Sequence, residues 1–185
     1  SAATGNIMMG YRCGHNLTTG DDNTAIGYAA MYSISEASRN VAIGKNALYA
    51  VTDAGHDNIA IGYDAGKAIT TGDQNIIIGS EAGDAITTGG YNVAIGKGAL
   101  PGMSTGDYNT AMGFQSGLAL TTGTGNTLIG DEAGSNITNG SNNVCIGRDS
   151  TASSAGVLNT VTLGSGAITA LRCQVQTISS LSDER

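Results

Sequence analysis

The segment Asn58-Ile-Ala-Ile-Gly-Tyr-Asp-Ala-Gly-Lys-Ala-Ile-Thr-Thr-Gly-Asp-Gln74 is one unit of a repeat that runs through nearly the whole chain. Its opening pentapeptide, Asn-x-x-(Ile/Met)-Gly, occurs at Asn6–Gly10, Asn23–Gly27, Asn40–Gly44, Asn58–Gly62, Asn75–Gly79, Asn92–Gly96, Asn109–Gly113, Asn126–Gly130 and Asn143–Gly147. A looser tenth copy ends at Leu163-Gly164. Successive glycines are 17 residues apart, with one step of 18 caused by an inserted residue between Val51 and Asn58. A fixed period of this length is the signature of a stacked repeat architecture.

Within each pentapeptide the first and third residues after Asn are mostly β-branched, as in Val41/Ile43, Ile59/Ile61 and Val93/Ile95. Period-two alternation places them on one face of a strand. The residue between them, often Ala (Ala25, Ala42, Ala60, Ala94, Ala111), faces the other way and allows close approach of another wall of the coil or of a neighbouring chain. A second apolar site follows seven residues after the Gly: Leu17, Ile34, Val51, Ile69, Ile86, Met103, Leu120 and Ile137. Each unit is therefore read as strand, turn, strand, turn, with Gly supplying positive φ at the corners. The repeated Asn is expected to stack as a ladder, its amide bonding the coils above and below or capping a turn.

The fold class that follows is all-β: a β-solenoid of about ten 17-residue coils over residues 1–164, with a different C-terminal strand and tail over 165–185. At roughly 4.8 Å per coil the stack is a rod of about 45 Å. A coil of two short strands encloses a thin core, so association along the rod is the natural way to bury more apolar area. The opening coil begins mid-pattern without a capping helix, as expected for a piece of a longer fibrous chain.

Composition agrees. Glycine is 29 of 185 residues, Trp is absent, Phe and Pro occur once each, and charged residues make up 12%. Collagen is excluded because Gly does not recur every third residue. Disorder fits poorly, since 40% of residues are hydrophobic. A formal charge of -7, with eight scattered Lys and Arg, argues against nucleic acid as a partner. No apolar run approaches the ~20 residues of a membrane span, so no membrane insertion is expected. Ser1-Ala2-Ala3-Thr4 does not resemble a signal peptide. Cys13, Cys145 and Cys173 are odd in number and lack metal-like spacing, so neither a disulfide framework nor a metal site is implied.

The Asn-Val-Ala-Ile-Gly core at 40–44 and 92–96 resembles the repeated motif in the head domains of trimeric autotransporter adhesins. That resemblance implies a left-handed β-roll and a parallel homotrimer. The chain departs from those heads in its longer coil and its Thr-Thr-Gly turns. At the other end, Ser182-Asp183-Glu184-Arg185 resembles the junction at which endosialidase-type intramolecular chaperones begin in phage tail fibres, tailspikes and some bacterial fibres. The resemblance implies processing between Ser182 and Asp183 in a full-length precursor. The Ser182 hydroxyl would be the nucleophile, and the assisting Lys and the chaperone itself would lie downstream of Arg185.

Rival chemistries find few residues. His15 and His56 occupy different places in the repeat, and the sixth-position aliphatic series of hexapeptide acyltransferases is missing, so no catalytic residue is assigned and no enzyme activity is expected. Asp21-Asp22, Asp57, Asp73 and Asp107 precede the repeated Asn without forming a calcium-binding nonapeptide, and read as turn residues. No cofactor is implied. Thr18-Thr19, Thr70-Thr71, Thr87-Thr88 and Thr121-Thr122 suggest an ice-matching array, but adjacent Thr residues point to opposite faces, leaving one outward Thr per coil. The position after the Gly carries Tyr11, Tyr28, Tyr63 and Phe114, whose rings suit either sugar contact or a subunit seam. The two resemblances together imply an extracellular fibre segment, either virion tail fibre or bacterial surface fibre. It would contact cell-surface glycans or space a neighbouring receptor-binding domain. An ice-binding or cation-binding lone solenoid is the alternative.

Overall fold

The alternation in each pentapeptide yields one three-residue strand per repeat: β1 (Ile7–Met9), β2 (Thr24–Ile26), β3 (Val41–Ile43), β4 (Ile59–Ile61), β5 (Ile76–Ile78), β6 (Val93–Ile95), β7 (Thr110–Met112), β8 (Thr127–Ile129), β9 (Val144–Ile146) and β10 (Val161–Leu163). These come from a computed structural model that describes residues 2–167. The strands pair in parallel and in sequence order as one ten-stranded sheet, so the chain is a β-solenoid of about nine turns. Equivalent residues sit opposite one another throughout, as Ile76 opposite Val93 and Ile78 opposite Ile95. The inserted residue does not disturb this, because Val41 still pairs with Ile59. It is absorbed in the exposed Asp53-Ala54 segment. The expected C-terminal strand, together with Ser182 and Asp183, lies outside the described residues.

The second apolar site does not form a second strand. Opposite the sheet, each coil is held to the next by backbone bonds such as Thr70 N–H to Thr87 O at 2.9 Å, Thr87 N–H to Ser104 O at 2.9 Å and Ser104 N–H to Thr121 O at 2.9 Å. Tight turns on both sides leave too little extended backbone for a regular ladder. The solenoid is thus a sheet closed by a wall of stacked turns.

Those turns explain the left-handed residues. Among the described residues nineteen that are not glycine have positive φ, and they recur at fixed coil positions: just before the Asn (Asp57, Tyr91, Tyr108), two after the Gly (Asn46, Asp64, Glu81) and four after it (Met31, Leu48, Leu100). Left-handed backbone costs an L residue about 1–2 kcal/mol. Stacking that repeats the same turn in every coil offsets this cost. Glycine at the pentapeptide corner answers a different requirement. At Gly79 φ is 140°, and an added Cβ would stand closer than 3.0 Å to the Gly96 carbonyl of the next coil. Close approach of coils and a backbone that L residues rarely adopt together select glycine there.

The interior is filled from three directions. The middle residue of each strand from β2 to β9 is buried, as Ala25, Ala42, Ala60, Ile77, Ala94 and Leu128 are, so this side chain faces the opposite wall of its own coil. The seven-after row is buried from Ile34 to Ile137, and Leu17 is partly so. Between them, residue size at the strand centre and four positions after the Gly is traded off: Ala25 with Met31, Ala42 with Leu48, Ile77 with Gly83, Ala94 with Leu100, Leu128 with Gly134. Where both are small, neighbouring coils supply the volume. Leu48 Cδ2 lies 3.2 Å from where a Gly66 Cβ would be, and in the Ala111/Gly117 coil both Leu100 and Leu128 close in. This interdigitation gives close-packed density without large aromatic side chains.

Candidate functional site: an aromatic and cationic cleft beside an apolar sheet face

The repeated asparagines form the expected ladder, and it is structural. Asn23, Asn40, Asn58, Asn75, Asn92, Asn109, Asn126 and Asn143 are all buried. Each Oδ1 accepts from the backbone N–H and the Nδ2 of the next Asn, as Asn58 Oδ1 does from Asn75 at 3.0 Å in both cases. The second Nδ2 proton goes to a turn carbonyl, as Asn58 Nδ2 to Gly72 O at 2.8 Å. Every donor and acceptor of these amides is therefore used, leaving none for a ligand. The ladder starts at Asn6 and ends where Thr160 donates its N–H and hydroxyl to Asn143 Oδ1 at 3.1 and 2.9 Å. The partner glycines Gly27, Gly44, Gly62, Gly79, Gly96, Gly113, Gly130 and Gly147 stack as backbone corners in the same register.

The sheet presents its first and third strand residues outward. Of these twenty positions, seventeen are Val, Ile, Leu or Met and three are Thr (Thr24, Thr110, Thr127). None is charged. Ile43, Ile61, Ile76, Met112, Ile129 and Ile146 remain 36–41% exposed because only their flanks are covered by the coils above and below. A contiguous apolar stripe of this length is rare on a solitary soluble chain.

Past the glycine corner runs a groove. Residues one and five after the Gly form its walls. Coils stack at a parallel-sheet spacing close to the stacking distance of aromatic rings, so side chains at equivalent positions pile up. His15, Tyr32 and Tyr49 do so with centroids 5.0 and 5.1 Å apart and planes within 14°. Tyr11 and Tyr28 stack at 5.5 Å. Lys45 Nζ lies 5.8 Å from the Tyr28 ring and 5.6 Å from the Tyr63 ring, and Arg12 lies 5.4 Å from the Tyr11 ring. Arg12, Tyr28, Tyr32, Lys45, Tyr49 and Lys67 enclose a cleft of about 430 Å³. Phe114 is elsewhere, in a second cleft of about 280 Å³ with Glu81, Asp84, Lys97 and Pro101.

The groove therefore gathers Tyr28 and brings Tyr63 beside it, but it does not unite all four aromatics of the sequence reading. The stacked row of His15, Tyr32 and Tyr49 was missed. Its signal was present, since all three lie five residues after their Gly, in phase with Tyr11 and Tyr28. The ladders also use up ring faces on one another. What the cleft offers is phenol hydroxyls and cations.

The acidic turn residues Asp21, Asp73 and Asp107 bond backbone N–H groups, whereas Asp57 accepts from Arg39 Nε at 2.6 Å and Nη2 at 2.8 Å. Asp73 Oδ1 accepts from His56 N–H at 2.6 Å and Asp107 Oδ1 from Gly90 N–H at 2.8 Å, each reaching back one coil. Asp21 accepts from the Thr4 N–H and hydroxyl, bonds that hold its carboxyl below the usual range. Among the described residues no three His, Cys, Asp or Glu side chains converge as a metal site would require. Of each Thr-Thr pair the first hydroxyl donates to the next coil, as Thr70 to Thr87 O at 3.2 Å and Thr121 to Thr138 O at 2.9 Å. Cys13 and Cys145 are free thiols pushed up in pKa by burial.

In comparisons with known proteins, no family model, no curated protein and no solved structure matches the chain. The fold and its surfaces define the class: a parallel β-solenoid repeat protein.

Proposed function

We propose that the chain is a segment of an extracellular adhesive fibre, shaft or tip. In this reading it assembles as a parallel homotrimer of left-handed β-rolls and contacts cell-surface glycans or spaces a receptor-binding domain. The observation that carries the proposal is the uncharged apolar stripe on all ten strands. A partner that covers it must present apolar side chains at the same inter-coil spacing along the whole rod. A second copy in parallel register meets that demand automatically, because the period is its own. Burial of such surface is favourable by about 25 cal/mol per Å². The role is structural and binding rather than enzymatic, and Ser182-Asp183 would be the processing junction of a longer precursor.

Light scattering coupled to size exclusion tests the assembly. A mass three times the chain's 18.4 kDa is expected. A stable monomer at micromolar concentration would remove the fibre reading.

A further inference from the structure

The cleft between the two aromatic ladders has a charge opposite to that of the molecule. Among the described residues the chain has six Lys and Arg side chains, and three of them, Arg12, Lys45 and Lys67, line this one cleft. Lys67 is paired to Asp64 at 3.0 Å. Arg12 and Lys45 have no carboxylate partner among the described residues and lean instead on tyrosine rings. Further along the groove the second cleft sets the carboxylates of Glu81 and Asp84 against a single cation, Lys97. The cationic stretch thus spans only the first four coils.

We propose that this cleft binds a short carboxylated oligosaccharide. The carboxylate would sit between the Arg12 fork and the Lys45 ammonium, and the sugar hydroxyls would exchange hydrogen bonds with the Tyr32 and Tyr49 phenols. The inference rests on the adhesive reading given above and deepens it by naming a ligand class and a place. Its volume lies within the ~300–1,000 Å³ of small-ligand sites. Charge-assisted bonds to a carboxylate are roughly twice as strong as neutral ones, and Arg receives it bidentately.

Other occupants fit less well. Single-stranded nucleic acid needs free ring faces for its bases, whereas these rings face one another at about 5 Å. A long polyanion would run into Glu81 and Asp84 on a chain of net charge -7. A peptide would look for free backbone groups, but the groove floor spends them between coils, as Ala29 N–H on Tyr11 O and Asn46 N–H on Tyr28 O.

Titration calorimetry on the intact chain with a uronic-acid trisaccharide, its carboxyl-reduced neutral form and a sulfated trisaccharide tests the proposal. The carboxylated ligand is expected to bind at least about tenfold more tightly than the neutral one, and Arg12→Ala and Lys45→Ala each to lose about tenfold. Lys97→Ala, in the other cleft, should bind as the unaltered chain does. Equal affinity for the neutral sugar, tighter binding of the sulfated one, full affinity in both variants or no binding at all would each overturn it. Mass measured on the same samples separates the two readings. A trimer that binds none of these sugars leaves the fibre standing without this site, and a monomer that binds through Arg12 and Lys45 does the reverse.

Discussion

Asn75 Oδ1 accepts two hydrogen bonds from Asn92, one from its backbone N–H at 3.0 Å and one from its Nδ2 at 3.1 Å. Repeated from coil to coil inside a buried strip, this pair fixes both the spacing and the register of the stack. A one-residue slip would bring another side chain against Asn75 and leave both amides unsatisfied.

Asn92→Ala removes the acceptor for the Asn109 N–H, held at 2.9 Å, and the donor to Gly106 O, held at 2.9 Å. An unsatisfied buried group costs about 1–3 kcal/mol, so a loss of about 3 kcal/mol is expected in chemical denaturation. Asn92→Asp should cost more, because it places a buried acceptor-only carboxylate against Asn75 Oδ1.

Two glycine variants compare positive φ in open space with positive φ combined with close approach of the next coil. Gly98 has φ of 60°, and an added Cβ would meet only Gln115 Cγ at 3.5 Å, so Gly98→Ala should cost about 1 kcal/mol. Gly79→Ala pushes a Cβ into the next coil's carbonyl and should cost about 3 kcal/mol or more. Similar melting temperatures for the two would contradict the packing account.

The size trade between Ile77 and Gly83 predicts strong coupling. Ile77→Ala alone should destabilise by about 2–4 kcal/mol through the cavity it leaves. Adding Gly83→Leu recreates the arrangement of Ala42 with Leu48, where a leucine already adopts φ of 48°. The double variant should recover about 1–3 kcal/mol, measured as a double-mutant cycle.

Asp84 supplies the pH dependence. Its Oδ1 is buried without a partner among the described residues, and burial raises its pKa above the ordinary 3.8. The folded state then holds this proton to higher pH than the unfolded chain does, so the contribution of Asp84 to stability falls as pH rises from about 4 through its folded-state value. Asp84→Asn should raise the melting temperature at pH 7 and flatten that fall. Thermal melts from pH 4 to 7 would show it, and an unchanged profile would count against the assignment.

On the outward sheet face, Ile61→Asp places a charge in the middle of the apolar stripe while the side chain stays partly in water. The fold should persist by circular dichroism, and the proposed trimer should drop to the mass of a single chain by light scattering. Full retention of the assembly would locate the seam elsewhere.

How much of this was legible in the sequence follows from what a period can encode. The 17-residue spacing of Asn and Gly determined a parallel stack, its register and the buried amide ladder, because identical residues at identical intervals can only pile up on one another. The apolar site at Ile69 and Ile86 was found, but its strand character was not borne out, since the left-handed residues around it are set by closure of the coil and leave little trace in residue type. Which strand face turns inward was likewise open: Ala60 and Ile61 could each have faced the core, and only closure of the coil decided for the small residue, leaving Ala60 buried and Ile61 36% exposed. The cleft depended on three dimensions most of all. Residues at positions one and five after each Gly become neighbours only when the turn between them folds back, and only then do Arg12, Lys45 and the Tyr32–Tyr49 stack share one space.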